Sequence, residues 1–138
     1  WYILANDLKD NAIKSFALDR VQELEITRTK FKFPKQFNIN EHYKYCFGIV
    51  SPDAKKPQKI VLSFEPLKGK YIKSLPLHES QVIILDNDKE LRIELYLVIT
   101  YDFIIEILSH GHRVKVIQPS SLIDELKSIY SSSLEQYS

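Results

Sequence analysis

The 138 residues, 44% hydrophobic and 27% charged, suffice for one ordinary domain or two very small ones and exclude a disordered tail or a fibre. Three scattered glycines, Gly48, Gly69 and Gly111, exclude a phosphate-cradling loop of the P-loop or Rossmann kind, and no apolar run approaches the length of a membrane helix. The net charge of +1 hides an asymmetry: residues 1–73 hold 14 Lys and Arg against 8 Asp and Glu, whereas residues 74–138 hold 5 against 10, so a polyanion is expected on the first half.

In chain order, Trp1 to Ala5 and Ala12 to Leu18 are short β-prone runs around the turn formers Asn6 to Asn11, which predicts a hairpin. Arg20 to Phe33 is read as alternating apolar and polar residues, with Thr29, Phe31 and Phe33 on one side and Arg28, Lys30 and Lys32 on the other. That is the period of a half-buried strand, stopped by Pro34. Asn40 to Phe47 reads as a short helix capped by Asn38 or Asn40 and ended by Gly48. Residues 51–58, with two prolines, read as a linker.

Beyond it, Lys59 to Phe64 predicts a strand and Pro66 the first position of a helix whose apolar stripe is Leu67, Tyr71 and Leu75. Gln81 to Leu85 and Glu90 to Ile99 predict a hairpin, with Leu91, Ile93, Leu95, Leu97 and Ile99 on one face. Thr100 is placed to cap a helix carrying Phe103, Ile104, Ile107 and Leu108 and ending at Gly111. Arg113 to Ile117 predicts a strand. Pro119-Ser120-Ser121 opens a last amphipathic helix through Leu122, Leu126 and Ile129, with Asp124 three residues after Ser121 as in a capping box. The order βαββαβ plus a terminal helix is that of a ferredoxin-like α+β domain. Three apolar helical stripes are one more than such a sheet covers, so the terminal helix is expected to pack on the first region or to enter a two-fold interface.

Trp1-Tyr2-Ile3-Leu4, followed at hairpin distance by Lys14-Ser15-Phe16-Ala17-Leu18-Asp19-Arg20-Val21, resembles the WYL domain of bacterial transcription regulators. The stretches Pro76 to Gln81, Ile107 to Ile117 and Pro119 to Leu122 look like the WYL C-terminal extension. The resemblance implies a partial SH3-like, Sm-like β-barrel segment over 1–50, a linker over 51–58 and a ferredoxin-like extension over 59–138. Of the three arginines in the family motif, Lys14 stands at the first, Ala17 at the second, and Arg20 is retained. Lysine keeps the charge without the bidentate fork that grips phosphate, and alanine removes the contact.

The resemblance makes Lys14 and Arg20 candidates for a phosphate-bearing effector, the alternative being an Arg20 that pairs with Asp19 or Glu23 and only holds a barrel corner. Arg28, Lys30, Lys32 and Lys35, interleaved with Phe31 and Phe33, suit a phosphate backbone with stacked bases; the plainer reading has the rings in the core and the lysines guarding an exposed edge. Trp1 and Tyr2 alternate faces in a strand, so one is available for stacking on a ligand. Metal is not expected, because Cys46, His78, His110 and His112 lack zinc-ligand spacing; nor is a nucleophilic role for Cys46, which has no activating base nearby in sequence. No carboxylate pair stands out as catalytic.

The expectation is a non-enzymatic, cofactor-free, effector-sensing and dimerising region of a WYL-type regulator. It binds a nucleic-acid or nucleotide-like anion, forms a homodimer and meets DNA through an N-terminal helix-turn-helix outside this chain. The alternative is an interaction module without a small ligand. The lone Cys46, the absence of a signal peptide and an opening at Trp1 rather than Met suggest a cytoplasmic protein of which this is a piece.

Overall fold

The Asn and Asp residues between the first two β-prone runs fold them into an antiparallel hairpin, β1 (Tyr2–Asp7) and β2 (Ala12–Ala17). Asn11 takes φ +55° in the turn, and the Asp7 and Asp10 carboxylates accept the backbone N–H groups of Lys9 and Ala12. A computed structural model describes residues 1–33, 35, 37–49 and 55–138. After the hairpin comes one 3-10 turn, Leu18–Arg20, and residues 21–33 then form neither helix nor strand. The strand expected over Arg20 to Phe33 is therefore absent, and Phe31 and Phe33 are 85% and 72% exposed rather than in a core. Alternation alone cannot hold a strand without a neighbour to complete its ladder. The expected stop at Pro34 and the first four residues of the expected linker, 51–54, lie outside the described residues. A five-residue helix, α1 (Ile39–Tyr43), is capped by the Asn38 side chain, which accepts from the N–H groups of Asn40 and Glu41.

The remainder follows the expected order: β3 (Gln58–Phe64), α2 (Pro66–Ser74), β4 (Val82–Asp86), β5 (Leu91–Leu97), α3 (Tyr101–Ser109), β6 (Val114–Gln118) and α4 (Ser120–Glu135). The four strands make one antiparallel sheet in the order β4-β5-β3-β6. The described chain is thus α+β, with two antiparallel sheets and four α-helices. Period-2 alternation puts Ile60, Leu62 and Phe64 of β3 and Leu91, Ile93, Leu95 and Leu97 of β5 on the buried face, where Ile72, Phe103, Ile104 and Ile107 of the helices meet them. Thr100 caps α3 as expected, accepting from Phe103 N–H.

Three details depart from the sequence expectation. Leu67, Tyr71 and Leu75 of α2 are exposed, and the helix instead turns Gly69 and Ile72 inward. The reason is steric: Gly69 sits so close to the Leu91 side chain that a Cβ there would lie 2.7 Å from it, which fixes the face of α2 that meets the sheet. No side chain caps α4, so the capping box at Ser121 and Asp124 does not form. And α4 is not the surplus element: Leu122 and Leu126 join the main core beside Val116 of β6, and the unpartnered stripe is that of α2.

Candidate functional site

The hairpin register separates the basic candidates. Lys14 stands opposite Ala5, towards the turn, and its ammonium lies 2.7 Å from Asp7 and 2.6 Å from Asp10. These carboxylates hydrogen-bond it and keep it charged well above the usual lysine range, and it in turn holds both of them below theirs. Arg20 is at the other end, beside the chain start: Tyr2 pairs with Ala17, Leu18 N–H donates to the Trp1 carbonyl, and the 3-10 turn then carries Arg20 into solvent. It makes no ion pair with Asp19 or Glu23 among the described residues. Trp1 is 99% exposed and Tyr2 about half exposed. The structure therefore brings Trp1, Tyr2 and Arg20 to the open end of the hairpin and leaves Lys14 at its turn. Arg28 and Lys30 lie on the irregular 21–33 segment, exposed and without an ion pair among the described residues.

The hairpin face opposite Lys14 is tied down. Ser15 shares a 2.6 Å hydrogen bond with the Tyr43 hydroxyl and donates to the Ile49 carbonyl. From there residues 43–49 run as a strap onto the four-stranded sheet. Val98 N–H donates to the Tyr45 carbonyl and Thr100 Oγ1 to the Phe47 carbonyl; the Phe47 and Tyr45 rings pack edge-on against Phe103 and Tyr96. Gly48 turns the strap with φ +74°, and a Cβ there would collide with the Asp102 carboxylate.

The family model of the WCX domain matches residues 56–131, more than half of the chain. The chain belongs to the WCX family. WCX domains are associated with WYL-type regulators, which is consistent with a regulatory region. The match leaves residues 1–55 outside it, and no curated protein matches the chain.

Within the WCX segment the polar groups are mostly structural. The Ser63 hydroxyl and the Arg92 guanidinium hold Glu90 below the usual carboxylate range across the open face of the sheet. His78 Nδ1 is engaged by Ser80, and His110 is buried against Phe64, where desolvation pushes its pKa down. Cys46, on the strap, is buried too, and burial raises its thiol pKa, which leaves it a poor nucleophile. Among the described residues no helix is long and apolar enough to cross a membrane. One feature escapes the sequence reading. Val82, Ile83, Ile84 and Leu85 are all exposed on β4, at an edge of the sheet, although an uninterrupted aliphatic run predicts a buried strand.

Proposed function

We propose that this chain is the non-catalytic, effector-sensing and dimerising region of a WYL-type bacterial transcriptional regulator, acting in the cytoplasm and responding to a nucleic-acid or nucleotide-like anion. Residues 1–50 are read as the C-terminal part of a WYL barrel of SH3-like type, 51–58 as the linker and 59–138 as a ferredoxin-like WCX domain. The strand order β4-β5-β3-β6 with intervening helices supports the last of these.

The observation that carries the anion reading is the contrast between Lys14 and the other cations. Lys14 is neutralised by two carboxylates, whereas Arg20, Arg28 and Lys30 stand exposed and unpaired among the described residues, with Trp1 and Tyr2 offering aromatic surface beside Arg20. Anion binding there biases the placement of the first region on the WCX domain through the 43–49 strap. A two-fold dimer then passes that bias to helix-turn-helix domains upstream.

Titration of a fluorescein-labelled single-stranded oligonucleotide at several salt concentrations tests the reading. Arg20→Ala is expected to weaken binding about fivefold or more with the melting temperature unchanged, and Lys30→Ala to reduce the salt slope by about one. Binding that ignores both salt and Arg20→Ala contradicts it. The second reading, an interaction module without a small ligand, is favoured by the exposed aliphatic run on β4.

A further inference from the structure

Several charged side chains of the WCX segment are spent on one another: Lys59 pairs with Glu94 at 2.6 Å, Lys73 with Asp86 at 2.8 Å and Arg92 with Glu90 at 2.5 Å. One cluster is not. The approach to β3, the passage from β5 into α3 and the first turns of α4, stretches far apart in sequence, line a cavity of about 330 Å³. Its floor is aliphatic, because Ile104 and Leu122 are core side chains and Ile99 is half-buried beside them. Its rim is polar: Lys55 comes from the approach to β3, and Ser121 and Glu125, one helical turn apart, come from α4. All three are exposed, so a solute can reach them, and none of their side chains has a hydrogen bond or an ion pair among the described residues. Lys55 and Glu125, the charged residues of this lining, are of opposite sign and do not pair across it.

That arrangement selects an occupant. A simple anion leaves the Glu125 carboxylate opposing it, an amine leaves Lys55 opposing it, and an apolar molecule takes water from both charges without replacing it. A zwitterion that carries its ammonium and carboxylate on one carbon answers both charges at once, and an aliphatic branch on that carbon meets the floor of Ile99, Ile104 and Leu122. We propose that this cavity binds a free α-amino acid with an aliphatic side chain, Lys55 and the Ser121 hydroxyl holding its carboxylate and Glu125 its ammonium. The size agrees: about 330 Å³ is the room of roughly eleven waters at about 30 Å³ each, the small end of ligand sites, which suits an amino acid. Bound there, the ligand bridges α4 to the start of β3, a second effector site built from residues other than Arg20, Arg28 and Lys30. The inference is independent of the anion reading, which oligonucleotide binding tests separately.

Amide chemical-shift titration of the 138-residue chain with three probes tests it: L-leucine, isocaproate, which lacks the ammonium, and isoamylamine, which lacks the carboxylate. Leucine is expected to shift the Leu122 and Glu125 amides saturably with a dissociation constant of about 1 mM or tighter, and each half-probe to bind at least about tenfold more weakly. Glu125→Gln is expected to weaken leucine about tenfold and to leave isocaproate no weaker; Lys55→Gln is expected to do the same to leucine and to leave isoamylamine no weaker. Both variants keep the melting temperature, since both side chains are exposed. Three results overturn the proposal: no saturable shift up to about 20 mM leucine, half-probes that bind as well as leucine, or variants that weaken all three probes alike.

Discussion

From residue 58 to residue 126 the chain buries Ile60, Leu62, Phe64, Leu91, Ile93, Leu95, Leu97, Phe103 and Leu122 almost completely, whereas across the described part of residues 1–49 only Cys46 is buried. Both regions contain β-prone, aromatic-rich sequence, so composition is not what distinguishes them. The difference is topological. In the WCX segment every strand has a neighbour and α2, α3 and α4 bury side chains against one face of the sheet, so apolar area leaves water; among the described residues the N-terminal hairpin is a sheet of two strands, a size marginal on its own. The hairpin is held by the strap at Tyr43, Tyr45 and Phe47.

The comparison can be broken at several points, and the largest effect is expected in the WCX core. Phe103→Ala removes a fully buried ring that meets Phe47 and is expected to cost about 3–5 kcal/mol, read as a fall in denaturant midpoint for both regions together. If the hairpin's signals survive that variant, the dependence of the first region on the second is wrong. Gly48→Ala attacks the strap alone. A side chain at φ +74° facing Asp102 is expected to cost about 1–3 kcal/mol locally, with the Val98 amide exchanging faster while the amides of β3 and β5 keep their protection.

Acid sharpens the contrast from the other side. Desolvation and the nearby Lys68 charge, against the opposing pull of Glu106, lower the His110 pKa, so its folded value lies below the unfolded value of about 6.5. The unfolded chain binds the extra proton first. The contribution of His110 is therefore complete above pH 6.5 and is lost as pH falls through the window below it. The WCX core is expected to lose stability in that window, and His110→Leu to flatten the profile there in thermal melts run between pH 7 and pH 5. Smallest of all, Ser15→Ala removes the hydroxyl bonded to Tyr43, for an expected loss of about 0.5–1.5 kcal/mol seen only in the hairpin's exchange rates.

The same contrast decides how much could be read beforehand. Every strand and helix of the WCX segment was legible, because Leu91 to Leu97 alternate cleanly and Pro66, Thr100 and Pro119 mark helix starts. Which face of α2 turns inward was not legible: the apolar stripe of Leu67, Tyr71 and Leu75 loses to the close approach that Gly69 permits against Leu91, and that contact is long-range. In the first region the pattern of residues 28–33 promised a strand, but a strand also needs a partner, which a period in the sequence does not supply. Of the site, Arg20, Arg28 and Lys30 were legible as cations. The capture of Lys14 by Asp7 and Asp10 depends on the geometry of the turn between them.

Native-state hydrogen exchange resolved by region tests the central claim, that one region carries the stability and the other is held on it by a strap. The amides of β3, β5 and α3 should exchange only through global unfolding, and those of β1 and β2 through a smaller local opening, with the difference abolished in denaturant near the midpoint. Equal protection of the hairpin and the sheet would contradict the account.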